Sequence, residues 1–121
     1  MNSLYHAKTS VKKWGGKVED YLKLHEFLDL SKVVCGDHRH RAMLHHTFGV
    51  QLACVAFGSF IVNSNGKEVP VREILEKHII EDLGFLPSAD KYLNNMQYQE
   101  WMSGKGRTTR GKTKVIKFEE L

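Results

Sequence analysis

A chain of 121 residues, 41% apolar and 26% charged, can bury one core of ordinary size, and it lacks the composition of a disordered polypeptide. No apolar run reaches 18 residues, and the opening stretch MNSLYHAKTSVKKWGG lacks the apolar segment of a signal peptide, so the expectation is a soluble, cytoplasmic protein with no membrane partner. The formal charge of +4 is unevenly placed: six Lys or Arg and no acid lie between Gly104 and Lys117, so the rest of the chain is slightly acidic.

The first helix that hydrophobic periodicity predicts runs from Val18 to Asp29, with Val18, Tyr21, Leu22 and Leu28 as its seam and charged residues opposite. Ser31 or Asp37 can cap a second helix, expected to be the longest and most apolar, running through HRHRAMLHH and on to Gly58. In FIVNSNGKEVPV, β-branched residues flank Asn65-Gly66, which predicts a small β-hairpin. Pro70 suits the end of that hairpin or the first turn of a third helix, Val71 to Leu83, which Gly84 closes. A short fourth helix can start at Ser88 and take in Tyr92 and Leu93. The expected fold is therefore mainly α: a helical bundle over residues 1–103 with one hairpin, followed by a flexible basic tail over 104–121.

Four of the seven histidines fall between Cys35 and Gly49. If that stretch is one continuous helix, His38 and His45 share a face with the small residues Ala42 and Gly49, while His40 points away and His46 stands at an edge. His6 and His40 are expected on the surface. The third helix carries His78 and Asp82 on the seam of Val71, Ile74, Leu75 and Ile79, where aliphatics are expected. The first helix carries His25 and Asp29 in the same way. Each helix thus reads His, then Asp one turn later, on its inward face. Desolvation penalises a buried ring nitrogen without a partner, and one shared cluster satisfies several at once. The expected ligands of a divalent transition metal are His25, His38, His45, His78 and Asp82; imidazole with carboxylate suits zinc, iron, nickel or manganese.

Other chemistries find less support. Cys35 and Cys54 have no CxxC spacing and read as reduced thiols, with Cys54 toward the core. Cys35 lies near His38, but no third group orients such a pair. KWGGK lacks the strand and helix context of a phosphate-binding loop. In the tail, Lys105, Arg107, Arg110, Lys112 and Lys114 are the expected contacts to nucleic acid. A module that binds a host protein or nucleic acid through its surface and tail, with the histidines as a structural polar core, stands as the alternative to a metal-binding domain.

From SVKKWGGKVEDYLKLHEFLD through DHRHRAMLHHTFGV to IVNSNGKEVPVREILEKHIIEDLGFLPS, about residues 9–103, the chain resembles a small domain family of bacteria and their phages without an assigned activity. That resemblance implies a phage accessory protein acting in the host cytoplasm. A weaker likeness is to the HD-type metal phosphohydrolases, whose first ligand histidine lies on a helix similar to LHHTFGVQLA and whose His-Asp pair precedes a glycine. Here HIIEDLG places Glu81 and Asp82 at the pair, and no later aspartate than Asp90 follows. The likeness implies that His45 or His46, with Glu81 and Asp82, holds a metal that activates water against a phosphoester.

Overall fold

The computed structural model describes residues 2–104, and its contacts divide the chain into two compact units, residues 1–89 and 90–121. The architecture is mainly α with one two-stranded antiparallel sheet. Among the described residues no helix is long and apolar enough to cross a membrane. The basic tail contacts expected from Lys105 to Lys114 lie outside the described residues.

The first helix of the molecule precedes the one expected at Val18. Helix α1, Ser3–Trp14, starts at Asn2, whose side chain accepts from the Tyr5 amide at 2.8 Å, and stops at Gly15, where φ is 82°. Its buried face is His6, Ala7 and Ser10, with Val11 and Trp14 packed at the edge of the core. Leu4, Ala7, Val11 and Trp14 recur at helical spacing along it, a periodic signal that the expectation of a first helix at Val18 passes over.

Helix α2, Val18–Asp29, has the expected bounds, and Tyr21, Leu24, His25, Leu28 and Asp29 are its buried residues. The expected long second helix is broken. Single 3-10 turns occupy Leu30–Val33 and His38–His40, Asp37 caps the latter by accepting from the Arg39 amide, and a one-turn helix α3, Arg41–Leu44, follows. At His46 the backbone turns extended, and its Nδ1 accepts from the Gly49 amide at 3.1 Å, starting helix α4, Thr47–Phe57, afresh. A Cβ at Gly49 would lie 1.8 Å from the Leu44 carbonyl oxygen, so only glycine permits so sharp a corner. Helix α4 is therefore shorter than α5, Val71–Leu83, which has 13 residues.

Strands β1, Phe60–Val62, and β2, Glu68–Pro70, pair in the register Ile61 with Val69. Asn63, rather than Asn65-Gly66 alone, organises the turn: its Oδ1 accepts from the amides of Asn65 and Lys67, at 2.9 and 3.0 Å. Pro70 is the N-cap of α5 and Gly84 ends that helix in the left-handed region. The core is Ala7, Tyr21, Leu24, Leu28, Val50, Ala53, Val69, Val71, Ile74, Leu75 and Ile79, drawn from α1, α2, α4, β2 and α5, with Cys54 half-buried against it. Helix α6, Ala89–Leu93, begins at the end of the first unit, and the second unit holds a 3-10 turn at Glu100–Ser103.

Candidate metal centre

Helices α1, α2 and α5 and the α3–α4 corner turn polar side chains into the same interior, and six of the seven histidines are buried there or beside it. This corrects two expectations. His6 is 0% exposed and His40 5%, not surface residues: α1 is an additional core helix, and the 3-10 winding of His38–His40 sets His40 inward against the His45 ring, edge to face at 5.4 Å. His38 stands exposed at the first position of its 3-10 turn, since without a continuous helix it no longer shares a face with His45. His46 serves the backbone, capping α4 while its Nε2 lies 3.1 Å from the Ala42 and Met43 carbonyls.

Four atoms converge. His45 Nε2 and His78 Nε2 face each other at 3.2 Å; Asp82 Oδ2 lies 3.1 Å from the first and 3.3 Å from the second. Asp29 Oδ1 lies 3.5 Å from both nitrogens. All four are within 4.8 Å of one another. An ion with four tetrahedral bonds of about 2.0–2.1 Å holds its ligand atoms about 3.3–3.4 Å apart, close to the nitrogen–nitrogen and nitrogen–oxygen distances here. Of the expected set, the fold assembles His45, His78 and Asp82 and adds Asp29. His25 is displaced by one shell: its Nδ1 lies 2.8 Å from His78 Nδ1.

Each carboxylate offers one oxygen to the group and has the other secured. Asp29 Oδ2 accepts from the Ser3 hydroxyl at 2.8 Å and pairs with Lys32 at 3.7 Å. Asp82 Oδ1 lies 3.1 Å from His6 Nε2 and 3.8 Å from Arg41 Nη2. His6 in turn reaches Glu81 Oε1 through Nδ1 at 2.9 Å, and its ring stacks on His78 at 3.7 Å. Glu81 is thus a partner of His6, Thr9 and Lys77.

The electrostatics follow from this packing. Burial pushes both carboxyls up, but His78, Ser3 and Lys32 around Asp29, and His45, His6 and His78 around Asp82, hold them well below the usual carboxylate range. Two ionised oxygens therefore meet in a buried space. Burial opposes charge on His78, yet Asp29 and Asp82 outweigh it and raise its pKa. For His45 burial wins over Asp82, with His78 adding to it, and the pKa falls. Burial next to His78 and His6 drives His25 down to about 2. Asp29 Oδ1 is buried, and among the described residues the only ring nitrogens that face it, from His45 and His78, stand at 3.5 Å, too long for a well-formed hydrogen bond. A buried anionic oxygen with only such long contacts is costly unless a cation faces it.

The sequence pattern exposed Asp29 as a seam carboxylate one turn after His25, which is the signal that could have placed it in the ligand set. Nothing comparable marks His6. Its role depends on which residues α5 presents to it.

The family model of a domain of unknown function (DUF6915) matches residues 1–102, and the chain belongs to that family. The match takes in the whole of helix α1, half of which lies before residue 9. No curated protein and no solved structure matches the chain.

Proposed function

We propose that this protein holds one divalent transition-metal ion between Asp29, His45, His78 and Asp82, and that the ion ties α2, the α3–α4 corner and α5 together. The observation that carries the reading is the convergence of two imidazole nitrogens, 3.2 Å apart, on two carboxylate oxygens at 3.1–3.5 Å from each of them, with Asp29 Oδ1 held by contacts of 3.5 Å alone. Two Nε2 atoms 3.2 Å apart can share at most one proton between them, whereas an ion at their centre satisfies all four atoms. Tetrahedral spacing and a mixed nitrogen and oxygen set favour zinc over manganese, which prefers six oxygens. Four protein ligands fill a tetrahedral shell, the arrangement of a structural ion rather than of one that activates water, so hydrolase-like chemistry is not part of this reading.

The test is elemental analysis of protein purified without a metal-binding tag, together with thermal unfolding before and after zinc addition. Close to one equivalent of metal, or uptake with a rise in Tm, is the expected outcome. Protein that stays metal-free and takes up none overturns the reading. A separate role for the tail is supported only by its charge: Lys105, Arg107, Arg110, Lys112 and Lys114 are glycine-spaced cations suited to phosphates of nucleic acid. Truncation after Ser103 should abolish any salt-dependent binding to nucleic acid and leave zinc uptake intact; unchanged nucleic-acid binding in the truncated chain would refute that role.

A further inference from the structure

A line of hydrogen bonds runs from the far side of His78 into α1. His78 Nδ1 lies 2.8 Å from His25 Nδ1; His25 Nε2 lies 2.8 Å from Ser10 Oγ; Ser10 Oγ lies 3.0 Å from the His6 carbonyl oxygen. Ser10 and His25 are both 1% exposed, so bulk solvent does not reach these contacts.

The protons along this line can be counted. A carbonyl oxygen only accepts, and the Ser10 hydroxyl has one proton to give. If that proton goes to the carbonyl, His25 must donate from Nε2 to Ser10. A singly protonated His25 then has a bare Nδ1, which accepts from His78 Nδ1–H. Run the other way, Ser10 would have to donate to both the carbonyl and His25 with a single proton. Only one direction gives each of the three contacts a proton. It fixes His78 with its proton on Nδ1, so that a neutral ring turns the Nε2 lone pair toward His45, Asp29 and Asp82.

We infer that Ser10 and His25 are positioning residues of the metal centre: through a directed chain from the His6 carbonyl they hold His78 in the tautomer whose Nε2 can coordinate. A singly protonated His25 is what the chain requires, because a ring with protons on both nitrogens could not accept from His78. Partners of this kind fix both the tautomer and the ring orientation of a ligating histidine, and removing one typically costs about 10–100-fold in metal affinity. The consequence for affinity rests on the metal reading above, whereas the proton order belongs to the chain itself.

Two measurements separate these levels. Nitrogen-15 NMR of the imidazoles in the metal-free wild type should show His25 protonated at Nε2 and bare at Nδ1, and His78 protonated at Nδ1. A His25 ring protonated at Nδ1 overturns the inference whatever the metal does. Zinc affinity is then read by competition with a chromophoric chelator. His25→Leu should weaken zinc about 10–100-fold. His25→Asn, whose amide oxygen can stand where Nδ1 stood, should recover most of that loss, and Ser10→Ala should lose less than His25→Leu. Equal losses in His25→Leu and His25→Asn, or none in either, refute the positioning role. Should the wild type bind no zinc, the metal reading fails by itself and the NMR result alone decides the proton order; it decides likewise if His25→Leu does not fold.

Discussion

The turn end of the first unit and its histidine centre are both polar, but their groups are satisfied to different degrees. At the turn, Asn63 Nδ2 donates to the Trp14 carbonyl and to Tyr21 Oη, each at 3.2 Å, and Tyr21 Oη donates to the Gly15 carbonyl at 2.7 Å. Asp20 accepts from the Lys17 amide and from both the amide and the hydroxyl of Ser64, at 2.7–2.9 Å. These donors pin the hairpin onto the α1–α2 junction. At the centre, four ligand-type atoms crowd one another and the ring nitrogens facing Asp29 Oδ1 stand at 3.5 Å. Buried polar groups stabilise when every member is well satisfied.

The sharpest way to break this contrast is at Asp82. Asp82→Ala strips an acceptor from His6, His45 and His78 together and should cost about 3–5 kcal/mol, measured by denaturant unfolding of metal-free protein. A cost under 1 kcal/mol would show that the histidines repack without it. Metal removal comes next. With free zinc at 1,000 times Kd, wild type should gain about 4 kcal/mol over the chelated protein, and His78→Ala should lose that gain. The difference between His78→Ala and wild type should therefore narrow in chelator; a constant difference would make His78 a core residue only.

The turn end should respond differently. Asn63→Ala removes hydrogen bonds to Trp14, Tyr21 and the turn amides and should cost about 1–3 kcal/mol, equally with and without zinc. Unequal costs would mean that the two regions are coupled.

The pH dependence of metal-free protein distinguishes them again. His78 has its pKa raised, so its contribution is full below its ordinary 6.5 and is lost as pH rises through the folded value. His25, His40 and His45 are depressed, so the unfolded chain takes up more protons there and stability falls as pH drops below 6.5. Metal-free stability should peak near that value. Zinc affinity, in contrast, should keep rising with pH, since the proton on His78 Nε2 must leave first. Asp20, also depressed, contributes above its ordinary 3.8, and that contribution disappears only as pH falls through its lower folded value. Calorimetric scans from pH 4 to 9 check both slopes; a metal-free profile flat through pH 6–7 contradicts the histidine assignment. Smallest of all, exposed His38→Ala should shift stability by less than about 0.5 kcal/mol, against about 1–2 for buried His40→Ala, whose ring meets Ser31.

Periodicity and caps were sufficient for the elements with an aliphatic seam. Helices α2 and α5 have the expected bounds, Gly84 closes α5 and the hairpin brackets Asn65-Gly66, because in each case local chemistry and burial agree. The seams also marked His25, Asp29, His78 and Asp82 as inward. Three matters needed the tertiary structure. Helix α1 buries His6 and Ser10, residues that sequence reading assigns to water unless their partners on α2 and α5 are known. The expected single helix through the histidines breaks at His45 and His46, because His46 caps α4 and Gly49 lets the backbone close onto Leu44. The 3-10 winding of His38–His40, together with the non-helical backbone at His45, takes His38 off the face of His45. Finally, the share of each polar side chain in the centre was set by distances between helices: His25 and His78 are both inward, but only His78 turns a nitrogen toward Asp29, His45 and Asp82. A one-dimensional pattern gives the face on which a residue lies. Which atoms meet across that face depends on how the helices cross, and the sequence reports that only through the packed whole.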